Sequence, residues 1–149
     1  MRSYKILPPT YLFIAVVIIV ILHVLLPVAT LIPSPWTLLG IIPLAVGIIF
    51  AVRAEQTFRE ANTAVNPFDA PSTLVTVGLY RFTRNPMYLG SALMLFGASI
   101  LLGSLTPYII VIAFALLIDR TFIRMEEQRM ASTFGTQYEE YKSRVRRWL

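Results

Sequence analysis

The sequence predicts an all-α integral membrane protein: four transmembrane helices in two hairpins, with a cytosolic loop and a C-terminal amphipathic helix. Three observations predict it. Of 149 residues, 56% are apolar and only 14% charged, whereas a soluble domain of this size carries about a quarter. The 13 basic and 8 acidic residues all lie within 2–5, 53–84 and 119–147, leaving 6–52 and 85–118 without a charge. Two short, uncharged turns, at Ile32-Pro33-Ser34-Pro35 and Gly103-Ser104-Leu105-Thr106, divide those apolar stretches. An ordinary soluble domain and a disordered chain are excluded. The absence of cysteine excludes disulfides, a Cys-based zinc site and a thiol nucleophile. A single histidine, His23, excludes a His-cluster metal site.

A helix needs roughly 20 mostly apolar residues to cross about 30 Å of hydrocarbon. The first span is expected over about 11–32. Its apolar run is too long for a cleaved leader, and Pro27, Pro33 and Pro35 stand where small residues would mark a cleavage site. The second is expected over 36–52, the third over 86–103, and the fourth over 107–124, opened by Pro107 and continuing past Asp119. His23 reads as an interhelical hydrogen bonder. Gly90 and Gly97, seven apart, read as a packing face on the third helix. The whole of 1–149 forms one domain.

Basic residues favour the cytosolic side. Both turns lack them, and an even number of spans puts every Lys and Arg on one face. Both termini and the charged segments are therefore expected in the cytosol. The net charge of +5 fits topology and anionic headgroups better than nucleic acid.

Residues 53–62 extend the second helix as a short amphipathic piece, and 63–72 form a loop stiffened by Pro67 and Pro71. The segment 74–90 then packs glycine, tyrosine, arginine and an Asn85-Pro86 step against a membrane boundary. Tyr and Arg commonly anchor helix ends there, but an anchoring belt does not explain Gly78, Asn85-Pro86 and Gly90 together. Gly78 permits a turn that bulkier residues resist. Pro86 starts the third helix and leaves Asn85 at its N-cap, where exposed N–H groups suit a carboxylate. Further on, Arg120, Arg124 and Glu127 fall at i, i+4 and i+7 on one helix face. Phe134-Gly135 reads as a helix stop, and Tyr138, Tyr141 and Val145 as one apolar stripe.

The run Val75-Thr-Val-Gly-Leu-Tyr-Arg-Phe-Thr-Arg-Asn-Pro-Met-Tyr-Leu-Gly90, followed by Glu126-Glu127 and Phe134-Gly-Thr-Gln-Tyr138-Glu-Glu-Tyr141, resembles the integral-membrane methyltransferases. These include the phospholipid methyltransferases and the isoprenylcysteine carboxyl methyltransferases. The resemblance covers about 53–147. It implies S-adenosylmethionine as cofactor, S-adenosylhomocysteine as product, and a pocket built from 74–90 and 120–147. On matching positions it implies Val75, Thr76 and Gly78 near the adenosine. Tyr80, Asn85, Pro86, Tyr88 and Gly90 complete the cofactor set, with Glu126 or Glu127. Arg84 would orient the reacting groups, and Arg120 matches an arginine preceding the acidic pair. Asn85 stands where the prenylcysteine enzymes have His, which favours a phospholipid amine headgroup over a prenylcysteine carboxylate.

Methyl transfer from a sulfonium requires alignment and exclusion of water more than covalent help. An amine acceptor must first lose a proton, which Glu126 or Glu127 could accept. A carboxylate acceptor needs no base, and Arg84 would position it. The implied partner is a lipid or lipidated substrate from the bilayer, with no nucleic acid and no metal; the oligomeric state is left open. Two other classes compete. Membrane sterol reductases share a similar C-terminal pattern but use NADPH. A non-enzymatic four-helix membrane protein is the other, although a proton-coupled transporter would place Asp or Glu within a span.

Overall fold

The computed structural model describes residues 7–149. Arg2 and Lys5, which count toward the expected topology, lie outside the described residues. Helix α1 (Pro8–Leu25) opens on prolines in its first turn, where a missing N–H costs no hydrogen bond. It stops well short of the expected Ile32. Pro27 cannot donate, and it pushes Leu26 out of helical geometry, to φ −146° and ψ 63°. The chain then runs irregularly to a 3₁₀ turn at Trp36–Gly40. This stretch pairs with the turn that follows the third helix. Leu31 N donates to Gly103 O at 2.8 Å, and Leu105 N to Ala29 O at 3.0 Å. His23 Nδ1 lies 2.8 Å from Ser104 Oγ, so it ties the end of α1 to that turn.

Helix α2 (Ile41–Glu60) continues through Arg53 to Glu60 without a break, so the expected amphipathic extension is its last two turns. Helix α3 (Pro86–Leu102) runs antiparallel to it, and Gly103 closes α3 with φ +75°. The two helices meet backbone to backbone at paired glycines. A Cβ on Gly47 would stand 2.5 Å from Gly90 O, and one on Gly90 2.6 Å from Gly47 O. One turn pair along, Gly40 faces Gly97 in the same way. Close approach of this kind is what small residues permit between apolar helices.

Helix α4 (Pro107–Ile118) packs beside α1 and α3 over a core of Ile19, Leu95, Phe114 and Ile118. The opposite faces are greasy: Phe13, Val24 and Leu25 on α1, Ile42 on α2, and Ile109 and Ile112 on α4 are all exposed. Two helical stretches, Pro8–Leu25 and Trp36–Glu60, are long and apolar enough to cross a membrane, and Pro86–Leu102 is a shorter apolar helix. Beyond Ile118 the helix does not end. It widens into a π turn at Asp119–Ile123 and resumes as α5 (Arg124–Phe134). Gly135, at φ +51°, breaks it, and α6 (Thr136–Arg144) folds back with Tyr138 and Tyr141 buried. Apart from a single bridge between Thr30 and Ser104, the regular structure of the described residues is helical.

Candidate functional site

At the end of the bundle where the charges gather, a cavity of about 550 Å³ opens between the ends of α1, α2 and α3, the 64–75 loop, α5 and α6. Its polar wall is built from three pieces. The 74–85 segment rises over a 3₁₀ turn at Gly78–Arg81, with Gly78 at φ +61°. The start of α3 supplies Tyr88, and α5 faces it with Glu126 and Glu127. The other wall is apolar: Leu7, Leu12, Ala51, Phe58, Met94 and Phe114.

Two carboxylates dominate the polar wall and are held differently. Tyr88 Oη donates to Glu126 Oε1 at 2.5 Å, and Glu126 makes no ion pair among the described residues. Burial pushes its carboxyl up to about 7; the Tyr88 hydrogen bond and the nearby Arg129 charge oppose that rise. Glu127, one residue on, is gripped twice. Arg84 Nη1 reaches Glu127 Oε1 at 3.1 Å, while Arg147 forks onto both oxygens, Nε at 3.0 Å and Nη2 at 2.6 Å. Arg147 also meets Asp119 at 3.3 Å, and these carboxylates, Glu127 first, hold its guanidinium even more firmly protonated.

Arg84 is thereby committed on one side. Nη1 also donates to Tyr138 Oη at 3.3 Å, while its buried Nε has no hydrogen-bond partner. Asn85 occupies the N-cap position of α3 but caps nothing with its side chain. Its Nδ2 donates to Arg147 O at 2.9 Å instead. Tyr141 Oη donates to Tyr80 O at 2.7 Å, which locks α6 onto the segment carrying Arg84; burial raises both phenols above the ordinary tyrosine range.

Of the residues singled out in the sequence, Val75, Tyr80, Arg84, Asn85, Tyr88, Glu126 and Glu127 line this one cavity. Five do not. Thr76 is half-buried beside it. Gly78 borders a separate shallow groove with Arg53 and Arg81. Pro86 is buried at the start of α3. Gly90 turns its Cβ direction into α2, where Gly47 and Ala51 leave no room. Arg120 is exposed and does not line the cavity. The π turn explains that last placement. An i, i+4, i+7 face holds only for a regular α-helix, and the wide turn at 119–123 rotates α5 by about one residue relative to α4. Glu127 thus lines the cavity while Arg120 stays exposed; Arg124, on the same regular helix as Glu127, is exposed as well.

The cavity also gathers residues that sequence reasoning passed over. Glu55 and Arg59 pair at 2.6 Å on the last turns of α2, and their i, i+4 spacing was the available signal. Arg129 Nη1 donates to Pro67 O at 2.6 Å. Arg147 lies in a basic run that reads only as a topology signal, and nothing in its spacing pairs it with Glu127.

The sequence profile of the phospholipid methyltransferase family matches residues 35–137, a stretch that begins just before α2 and includes Arg84, Tyr88, Glu126 and Glu127. A protein-S-isoprenylcysteine O-methyltransferase of Schizosaccharomyces pombe is 31% identical over 97 residues, 63% of this chain and 39% of the yeast protein. The chain thus aligns with well under half the length of that relative. An uncharacterized protein of Haemophilus influenzae is 41% identical over 63 residues, which is 42% of this chain and the whole of that protein. With a family profile matched across most of its length, and with the matched residues framing one cavity, the chain belongs to the phospholipid methyltransferase family.

Proposed function

We propose that the chain transfers a methyl group from S-adenosylmethionine to an amine headgroup of a lipid at the membrane interface. The observation that carries this reading is the charge state of the cavity. Each arginine lining it is engaged: Arg59 by Glu55, Arg84 by Glu127 and Tyr138, Arg129 by the Pro67 carbonyl. On the wall formed by α3 and α5, the carboxylate outside any ion pair is Glu126, held by Tyr88. Such a wall favours a cationic or amine group over a carboxylate. The apolar wall suits the hydrocarbon of a lipid.

The residues present fit the cofactor. The cavity lies within the several-hundred-Å³ range of small-molecule sites. Glu126, on the wall formed by α3 and α5, matches a positive group. Val75, Tyr80, Asn85 and Tyr88 complete the proposed cofactor wall. When bound, S-adenosylmethionine supplies an electrophilic methyl on sulfur, and its departure leaves the neutral thioether S-adenosylhomocysteine. The protein's own part is alignment and proton removal. Glu126 would accept the proton of the ammonium headgroup, freeing the nitrogen lone pair for the methyl group that the bound cofactor would supply. Tyr88 fixes the orientation of that carboxylate. Arg84, buttressed by Glu127 and Tyr138, orients the reacting groups.

We place the four apolar helical stretches across the bilayer as two hairpins, with the charged end and both termini in the cytosol. The outward apolar faces of α1, α2 and α4 and the charge-free turns support this arrangement. Single cysteines at Ser34 and Ser104 test it. In sealed membranes neither should label from the cytosolic side, and labelling of either would refute the topology. For the activity, purified protein in detergent should melt at a higher temperature with S-adenosylhomocysteine and not with NADPH. A labelled methyl should then pass to phosphatidylethanolamine in preference to a prenylcysteine. Stabilisation by NADPH alone would favour the reductase reading; stabilisation by neither would sink the cofactor assignment.

A further inference from the structure

Val145 leaves α6 with extended geometry, φ −118° and ψ 129°, and residues 146–148 bond to the elements that carry the polar wall of the cavity. They bind it at four places. Arg146 O accepts from Arg84 N at 3.0 Å. Arg147 O accepts from Asn85 Nδ2 at 2.9 Å and from Thr83 Oγ1 at 3.2 Å. The Arg147 guanidinium forks onto Glu127 and reaches Asp119. Trp148 Nε1 donates to Asp119 Oδ1 at 3.1 Å, with its ring against the α1–α3–α4 core. This segment thus connects the loop before α3, the π turn and α5.

We infer that Arg147 is a positioning residue for methyl transfer: it holds Glu127 so that Glu127 holds Arg84, and its own carbonyl fixes Asn85. Glu127 carries two guanidinium groups on one carboxylate. Without the Arg147 fork, that carboxylate is free to rotate, and Arg84 loses the geometry of its only ion pair among the described residues. Burial makes this matter, since the Arg84 and Glu127 side chains are only 10% and 15% exposed, and a misplaced buried charge is not rescued by water. A planar two-pronged contact also cannot be supplied by Lys. This inference rests on the reading of the cavity as the methyl-transfer site.

The test uses the full chain with Trp36→Phe, which leaves Trp148 as the sole tryptophan; Trp36 lies outside the cavity lining. In that background Arg147→Ala and Arg147→Lys are compared by Trp148 emission, melting temperature and steady-state turnover. The expected result for Arg147→Ala is a red-shifted emission, a folded protein, and kcat at least tenfold lower with little change in KM for the lipid. Arg147→Lys should recover less than a tenth of the parent kcat. Unchanged emission, or unchanged kcat in a folded Arg147→Ala protein, overturns the inference. Should Arg147→Ala fail to fold, Arg147→Lys decides alone, and full kcat there overturns it. If the Trp36→Phe parent neither binds S-adenosylhomocysteine nor transfers methyl, the reading of the site has failed; the emission shift then still reports whether Arg147 tethers the segment.

Discussion

Helix α3 is held along its length and at its first turn by opposite means. Along its inner face, Gly90 and Gly97 meet α2 with nothing but backbone. At its first turn, Asn85 and Tyr88 meet other elements through hydrogen bonds to Arg147 O and Glu126. The glycine seam tolerates no side chain, because the space a Cβ needs is already occupied. The polar end consists of side chains, several of them charged, held within 3.3 Å of their partners. The seam fixes where α3 stands; the charged cluster fixes what its first turn presents to the cavity. Loss of the first should unfold the bundle, and loss of the second should leave a folded protein that does not work.

The largest effect is therefore expected at Gly47. Gly47→Val would drive a Cβ to 2.5 Å from Gly90 O, and the two helices must part to admit it. Overpacking a tight interface costs about 1–3 kcal/mol, more where the obstacle is backbone. Circular dichroism in detergent should show a melting temperature lowered by many degrees, or no folded protein. If Gly47→Val melts within a degree or two of wild type, the seam is not the framework of the fold.

Next come the charged positions. Arg84→Lys keeps the charge but loses the planar contact to Glu127 and Tyr138. A shift of about 1 Å in a positioned group costs on the order of a hundredfold in rate, so turnover should fall by that order while melting is nearly unchanged. Glu126→Gln should do the same for an amine acceptor by removing the base. Retained turnover in both variants would reduce this cluster to a structural clasp like the seam.

The same carboxylate sharpens the comparison through pH. Glu126 is raised from 4.5 to about 7 in the folded protein. Between those values the folded state binds more protons than the unfolded state, so this group's contribution makes stability fall as pH rises from about 4.5 and level off above about 7. At about 1.4 kcal/mol per pH unit the total is about 3 kcal/mol. Glu126→Gln should consequently melt higher than wild type at pH 8 and alike at pH 4. Turnover should move the other way. A base must be deprotonated, so kcat for the amine rises with pH, with a midpoint at or below about 7, because a bound cation favours the carboxylate. A flat pH profile would remove Glu126 from proton transfer.

Much of this was legible in the residues themselves. Prolines opened α3 and α4, Gly135 stopped α5, and Tyr138 and Tyr141 of the expected stripe are buried, whereas Val145 lies beyond the end of α6 and is only half-buried. Both members of the acidic pair reach the cavity. What escaped has physical causes. Apolar composition does not mark where a helix ends inside a greasy stretch, so Pro27 halted α1 seven residues before the hydrophobicity did. The seven-residue spacing of Gly40 and Gly47 mirrors that of Gly90 and Gly97, but a glycine pair becomes a seam only once antiparallel helices bring two such pairs together. Gly90 consequently belongs to packing, away from the cavity. Arg147 could not be read at all, because its partners lie 20 and 28 residues away on two different elements.

The smallest effect is expected at Arg120, and it tests the π turn directly. On a regular helix Arg120, Arg124 and Glu127 share a face, and Arg120 would then stand beside the acidic pair. In the structure the wide turn at Asp119–Ile123 intervenes. Glu127 turns toward Arg84 and Arg147, whereas Arg120 is exposed with no ion pair among the described residues. An exposed charge of this kind changes stability by no more than about 0.5 kcal/mol. Arg120→Ala should therefore melt like wild type and retain its turnover, while Arg84→Lys in the same preparation loses most of it. If Arg120→Ala alone abolishes turnover in a folded protein, the regular-helix face is the functional one and the inward placement of Glu127 is wrong.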